Sequence, residues 1–355
     1  MSDQTRVGEL GERALLKRLR SRIPQGEGVV VGIGDDAAAV ATAGLTLVTA
    51  DCLVEGVHFR REFTPPRLLG RKALSVNLSD IAAMGGIPRY ALVSLCLPPD
   101  QPLSFVDSLY DGLLERAAET GVWLVGGNLS TSTAGIVIDL TLLGSGEPRL
   151  LRSQARAGDL LVVTGTLGAA GAGLRYLEEG FRIDERGTLL AGPDLPQRDL
   201  AAVAGAIRAQ LDPAPPLSFG AALGAQGLVA CGMDLSDGLS GDLLTLCGES
   251  GVSAVIDRLA LPVDPGAVRR GEAEALELAL HGGEDYQLLL GVGPERLGAV
   301  SALAEACGVP LSVAGRFESG PGEVFVQSGE ARVRLTPRAH QHFRVNLGLE
   351  GVRQG

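Results

Sequence analysis

Short apolar stretches that break off at glycine, with a carboxylate or an amide close by, constrain this chain more than any other feature. Val29–Ile33 runs into Gly34-Asp35-Asp36, Leu45–Thr49 ends at Asp51, and Val122–Val125 runs into Gly126-Gly127-Asn128. Leu160–Thr164 runs into Gly165-Thr166-Leu167-Gly168. These read as strands, and helical patterns lie between them. Glu9–Arg20 places Leu10, Ala14, Leu15 and Leu19 close to one face, and Arg67–Met84 stops at Gly85-Gly86. Ala73, Asn77, Asp80 and Met84 share a face of the second of these helices. Ser104 and Asp107 have capping-box spacing before the next helix, and Gly121 suits its C′ position. Further helices are predicted from Gly168 to Glu179, over Leu200–Leu211 and after Asp234-Leu235-Ser236-Asp237-Gly238. Gly282-Gly283-Glu284-Asp285 opens a strand over Tyr286–Val292. Strands and helices alternate in both halves, which predicts α/β and α+β architecture. The aperiodic stretch Gly144–Asp159 marks a boundary, giving an N-terminal domain over 1–148 and a C-terminal domain over 149–355.

Glycine supplies 50 of 355 residues, about twice its usual share, and no solenoid repeat accompanies it. Acidic residues outnumber basic ones, 42 to 31, for a net charge of −11. That balance argues against nucleic acid or an anionic membrane as partner. It leaves phosphate ligands open, because a bridging cation can join carboxylate to phosphate. Lys17 and Lys72 are the only lysines. The five cysteines, Cys52, Cys96, Cys231, Cys247 and Cys307, form no CxxC and read as small buried thiols in a reducing cytoplasm. Met1–Arg20 lacks the apolar core of a secretory leader.

Carboxylates recur at the element junctions: Asp35, Asp36, Asp51, Asp80, Asp234, Asp237, Glu284 and Asp285. Any one of them is by default an N-cap or a turn former. Several converging would need counter-charge, which Mg²⁺ supplies through oxygen ligands. Gly32-Ile33-Gly34-Asp35-Asp36-Ala37 matches a dinucleotide fingerprint, but two carboxylates would face the pyrophosphate and no helix pattern follows. Gly165-x-x-Gly168-x-x-Gly171 is either a phosphate cradle or a tight turn with close helix packing. No P-loop and no nucleophile elbow occurs. His58 is either an anion contact or a half-buried structural histidine, and His281 reads as structural.

Five segments then carry a resemblance. GIGDDAAAV (32–40), DCLVEGVHF (51–59), KALSVNLSDIAAMGG (72–86), MDLSDGL (233–239) and GGEDYQL (282–288) occur in the order seen in the thiamine-monophosphate kinase family. The resemblance runs from about Gly8 to Phe343. It implies an ATP- and Mg²⁺-dependent enzyme that phosphorylates thiamine monophosphate. It also implies the two-domain fold of aminoimidazole ribonucleotide synthetase and a homodimer through the N-terminal domains. By matching motif, Asp36, Asp51, Asp80, Asp234 and Asp237 are implied Mg²⁺ ligands, with Thr49 and Asn128 as further oxygen donors. His58, Glu284, His340 and Phe343 are implied substrate contacts, and Tyr110, Gly127, Asn128, Arg152 and Ser236 implied ATP contacts. Four positions depart from the family pattern. Asn128 replaces an aspartate, and Ala50 replaces the threonine before Asp51. Asp212-Pro213-Ala214-Pro215-Pro216 lacks a histidine and an arginine, and His340 replaces an aromatic residue. Two other readings stay open: a related enzyme that uses ATP on another phosphate or acid, and a nucleotide-binding paralogue without catalysis.

Overall fold

Period-two patterning builds the first sheet. The computed structural model describes residues 5–338 except 11, 25, 32–38, 43 and 148. Its N-terminal part contains α1 (Val7–Leu10), α2 (Glu12–Arg20), the small pair β1 (Val29–Val31) and β2 (Ala39–Val40), β3 (Thr46–Val54) and α3 (Pro66–Ala83). It continues with β4 (Ile87–Leu97), α4 (Leu103–Thr120), β5 (Trp123–Thr131) and β6 (Val137–Ser145). The sheet order is β3-β6-β4-β5, with only β4 and β5 parallel. Alternate residues Ile138, Leu140 and Leu142 of β6 are buried in one core with Leu69, Leu74 and Ile81 of α3 and Leu109 and Leu113 of α4.

The C-terminal part contains β7 (Leu160–Thr164), α5 (Ala169–Glu178), β8 (Arg182–Ile183), β9 (Leu189–Ala191), α6 (Leu200–Leu211), α7 (Leu217–Gln226), β10 (Cys231–Asp234) and α8 (Leu239–Ser250). There follow β11 (Ser253–Asp257), α9 (Pro265–Val268), α10 (Glu272–His281), β12 (Leu288–Val292), α11 (Leu297–Ala306), β13 (Leu311–Glu318), β14 (Val324–Ser328) and β15 (Ala331–Arg334). Its seven-stranded sheet has the order β10-β12-β7-β13-β11-β14-β15, with β11 and β14 parallel. The fold is two-part, with helices on mixed sheets, as the alternation of elements predicts.

The helix α3 joins the two parts. It is buried on nearly every side, including Lys72, Ser75, Asn77 and Ser79. Gly70 and Gly112 let α3 and α4 meet backbone to backbone: a Cβ on either would come within 2 Å of a carbonyl oxygen, that of Leu109 or of Arg67. On its other side Ala82 and Ala83 pack with Phe219 and Leu223 of α7. Asp212, at the end of α6, accepts from Arg71 Nε at 2.9 Å and from an Arg116 guanidinium nitrogen at 2.6 Å. The sequence Asp212–Pro216, short of charge in itself, thus bolts the C-terminal part to α3 and α4.

Four local expectations are corrected. Ser104 does not cap α4; the N-cap is Pro102, and Asp107 is paired with Arg18 and Arg22. The proline fixes an extended entry one residue before the helix, so Ser104 is already helical. The strand ending at Asp51 runs on to Val54, because its ladder with β6 extends to Val137. The glycines 126 and 127 likewise lie inside β5, not after it. Of the five cysteines, which are all free, only Cys231 and Cys247 are buried, whereas Cys52 is exposed on the uncovered face of β3. No helix among the described residues is long and apolar enough to cross a membrane.

Candidate functional site

Three carboxylates from three elements meet where α3 passes between the sheets. Thr49 and Asp51, two residues apart on β3, face the same side of the strand. Asp80 comes from the last turn of α3 and accepts a hydrogen bond from the Thr49 hydroxyl at 2.5 Å. Asp234 ends β10 and accepts from Ser79 Oγ at 2.8 Å, although its residue is only 2% exposed. A cavity of about 540 Å³ opens here, lined by Thr49, Asp80, Met84, Arg152 and Asp234 among others.

Burial dominates the electrostatics. It pushes the Asp51 carboxyl up to about 6, helped by the neighbouring charges of Asp80 and Asp139. Asp80 and Asp234 are also raised, chiefly by burial. Their Thr49 and Ser79 hydroxyls and the Arg152 guanidinium pull the other way. Asp242, which sequence reasoning did not single out, is raised to about 8 by burial and by Asp234 and Asp237. Its carboxylate accepts from the amides of Asp237 and Gly238, fixing the loop before α8.

The loop Leu235–Gly238 is laced to the turn Glu284–Gln287. The Glu284 amide donates to the Ser236 carbonyl, and the Tyr286 amide to the Leu235 carbonyl. Glu284 and Tyr286 are the only non-glycine residues with positive φ among the described residues, at 67° and 49°. Such backbone strain persists only where the surroundings over-determine it, and three anchors do so. Glu284 is paired with the buried Lys72, and Tyr286 inserts into the N-terminal core. Asp285 takes the amides of Gly168 at 2.6 Å and Ala170 at 3.1 Å. The Gly168 and Ala170 amides of the glycine-rich turn are therefore taken by a carboxyl group of its own chain, 117 residues from Gly168, and do not form an open phosphate cradle.

Burial pushes the Asp285 carboxyl from 3.8 up to about 7, against the pull of those amides. A carboxyl raised on folding holds its proton longer in the native state. Its stabilising contribution is present below about pH 4 and lost as the pH rises toward 7. The stability advantage of wild type over Asp285→Asn should therefore shrink by up to about 1.4 kcal/mol per pH unit over that interval. Urea unfolding at pH 5, 6 and 7 checks this; an advantage that grows with pH would contradict it.

The other candidate residues are placed as follows. His58 accepts the Val54 amide on Nδ1 at 3.0 Å, which leaves the ring proton on Nε2. His281 is structural, with Nδ1 2.8 Å from Ser240 Oγ. Tyr110 is buried in the N-terminal core, and burial pushes its phenol up to about 12. Asp237 is exposed beside Ser236. Gly127 and Asn128 lie on β5, the edge opposite β3, so two strands separate them from Asp51 and Cys52. At about 4.8 Å per strand that is about 14 Å, and one chain does not bring them to the three carboxylates. Asp36, His340 and Phe343 lie outside the described residues. Among the described residues, no three acidic, histidine or cysteine side chains form a metal cage by themselves.

Sequence reasoning missed Ser79, Tyr286 and Gln210 as site-forming residues. Lys72 carried a signal, being one of two lysines in the chain.

Comparison with known proteins assigns this architecture. Residues 34–145 match the AIR synthase related protein N-terminal domain, and residues 156–327 match the corresponding C-terminal domain. A thiamine-monophosphate kinase of Synechococcus elongatus is 36% identical, covering 97% of this chain and 99% of the relative. That of Escherichia coli is 32% identical over 94% of this chain and 98% of its own length. The crystal structure of thiamine-monophosphate kinase from Stenotrophomonas maltophilia superposes with a TM-score of 0.77 at 33% identity, covering 89% of this chain and 96% of that one. A structure described as AaThiL complexed with AMPPCP and TMP gives 0.71 at 33% identity, covering 96% of this chain and all of that one. A hydrogenase maturation protein HypE in complex with ATP gives 0.72 at 19% identity over 94% of this chain and 98% of that one, a likeness of fold alone. This chain belongs to the thiamine-monophosphate kinase family, within the AIR synthase-related superfamily, and is a phosphotransferase.

Proposed function

We propose that the protein transfers the γ-phosphate of ATP directly to the phosphate of thiamine monophosphate, giving thiamine diphosphate. The observation that carries this reading is the cleft lined by Thr49, Asp80, Asp234 and Arg152, with Asp51 near enough for its charge and that of Asp80 to act on each other. A phosphate monoester has a second pKa near 6, so the attacking oxygen is already largely ionised at pH 7. No protein nucleophile and no strong base is then needed. Positioning and charge neutralisation do the work instead.

The donor set fits Mg²⁺. Asp51, Asp80 and Asp234 act on one another's charge, which a bound cation would offset, and each of these donors is a hard oxygen. Asp36, Asp51, Asp80, Asp234 and Asp237 would hold it, with Thr49 as an auxiliary oxygen; Asn128 is assigned to it by motif alone, since one chain keeps it two strands away. Bound there, the ion supplies the positive charge that offsets the phosphate oxygens. Arg152 stands exposed at the same cleft and can pair with a phosphate group. Ser236, Gly127 and Tyr110 are assigned to ATP, and His58 and Glu284 to thiamine monophosphate, each by matching motif. His340 and Phe343 are assigned to the thiamine end in the same way.

The uncovered face of the N-terminal sheet supports a homodimer. Val48 is 65% exposed there, beside Ala50 and Cys52 on the edge strand β3. That face also carries Asn128, in register with Cys52 through Asp139 and Ser94 and opposite the face on which Asp51 lies. Five free cysteines support a reducing, cytoplasmic setting. The two domains are read as meeting near residue 148.

Direct transfer has a stereochemical signature. ATP made chiral at the γ-phosphorus should give product with inverted configuration, because one in-line displacement inverts once. Retention would mean two displacements, and a labelled protein adduct would then be isolable.

A further inference from the structure

Behind Glu284 lies a buried polar triangle drawn from three separate segments. Lys72 Nζ, on an α3 side chain 1% exposed, is 2.8 Å from Glu284 Oε1. The same ammonium donates to the Gln210 carbonyl of α6 at 3.0 Å. The Gln210 side-chain amide closes the triangle, donating to Glu284 Oε2 at 2.5 Å. Glu284 itself keeps a quarter of its side chain exposed.

Docking of α6 on α3 does not require this arrangement, because Asp212 with Arg71 and Arg116 already provides it. Burying an ammonium is unfavourable unless it is paired and hydrogen-bonded, so an apolar residue at position 72 would serve packing better. What the triangle does is fix a carboxylate. Each Glu284 oxygen has two lone-pair directions. Lys72 and Gln210 take one on each oxygen from the buried side, which stops rotation of the group and leaves its outer edge open. The left-handed backbone at Glu284 and its amide bond to the Ser236 carbonyl set the root of the same side chain. The bond from the Glu284 amide to the Ser236 carbonyl also holds Glu284 beside the end of β10, two residues from Asp234.

We propose that Lys72 and Gln210 are positioning residues that hold the Glu284 carboxylate in the orientation that receives thiamine monophosphate. The inference rests on the reading of Glu284 as a contact to that substrate. It makes affinity for the acceptor depend on how α3 and α6 meet, while ATP binding does not.

Gln210→Met tests it, since methionine keeps the volume and removes the donor. The KM for thiamine monophosphate should rise about tenfold, the scale of one charge-assisted hydrogen bond. The KM for ATP and kcat should stay within about twofold. In a Glu284→Gln background the same substitution should add nothing further. Gln210→Asn, which keeps the amide but shortens its reach, should reproduce the effect and serves if the methionine variant is insoluble. An unchanged KM for thiamine monophosphate in Gln210→Met, with a raised one in Glu284→Gln, would overturn the positioning role and leave the substrate contact standing. An unchanged KM in Glu284→Gln would remove the contact itself. Equal losses toward both substrates would mark Gln210 as merely structural and also overturn the inference.

Discussion

Asp80→Asn should lower kcat by at least about a hundredfold, the scale of losing one preorganised charge at a phosphoryl-transfer site. The same variant should keep its fold. Asparagine is isosteric, and its amide oxygen can still accept the Thr49 hydroxyl that Asp80 holds at 2.5 Å. Removing the charge also relieves Asp234, which burial and Asp80 together drive toward its neutral form. The thermal midpoint should therefore stay level or rise while turnover collapses. Steady-state kinetics and calorimetry on the same preparation separate the two effects. Full activity in Asp80→Asn would mean that the three carboxylates do not serve the reaction.

The second large effect is on folding. Gly112→Val should yield little soluble protein, as should Gly70→Val. Their Cβ atoms would lie within 2 Å of backbone carbonyl oxygens on the facing helix, where no side-chain rotation gives relief. Prying α3 from α4 costs about 3 kcal/mol or more, out of a typical total of about 5–15 kcal/mol. The loss would also displace Asp80 and Lys72, which α3 carries. Gly205→Ala on α6 is the contrasting case, because its Cβ meets nothing within 4 Å. It should stabilise by about 0.5–1 kcal/mol through helix propensity. Soluble yield and urea midpoints of the three variants decide; a wild-type midpoint for Gly112→Val would contradict the close crossing.

Elements bounded by glycine or proline were legible in the sequence. The helices over 66–83 and 200–211 and the strand over 160–164 end where the pattern says they should. Residues inside continuous ladders were harder to read. Asp51 and Asn128 look like strand ends because glycine or polarity follows, yet pairing with a neighbouring strand carries the chain past them. Ser104 and Asp107 have capping spacing, but Pro102 sets the entry and distant arginines claim Asp107. The occupant of the Gly165–Gly171 turn and the partners of Glu284 come from far along the chain, and local spacing carries no trace of them. The carboxylates themselves were visible because their motifs are local. Their convergence on α3 was not, since it depends on two glycine contacts and an inter-domain ion pair.

The most direct test is a mass-resolved assay of the purified protein with ATP, Mg²⁺ and thiamine monophosphate, with thiamine as a parallel substrate. Thiamine diphosphate should appear only with Mg²⁺ and only from the monophosphate. ATP binding with no thiamine diphosphate under any of these conditions would contradict the proposed reaction and leave a nucleotide-binding protein with a different acceptor or none.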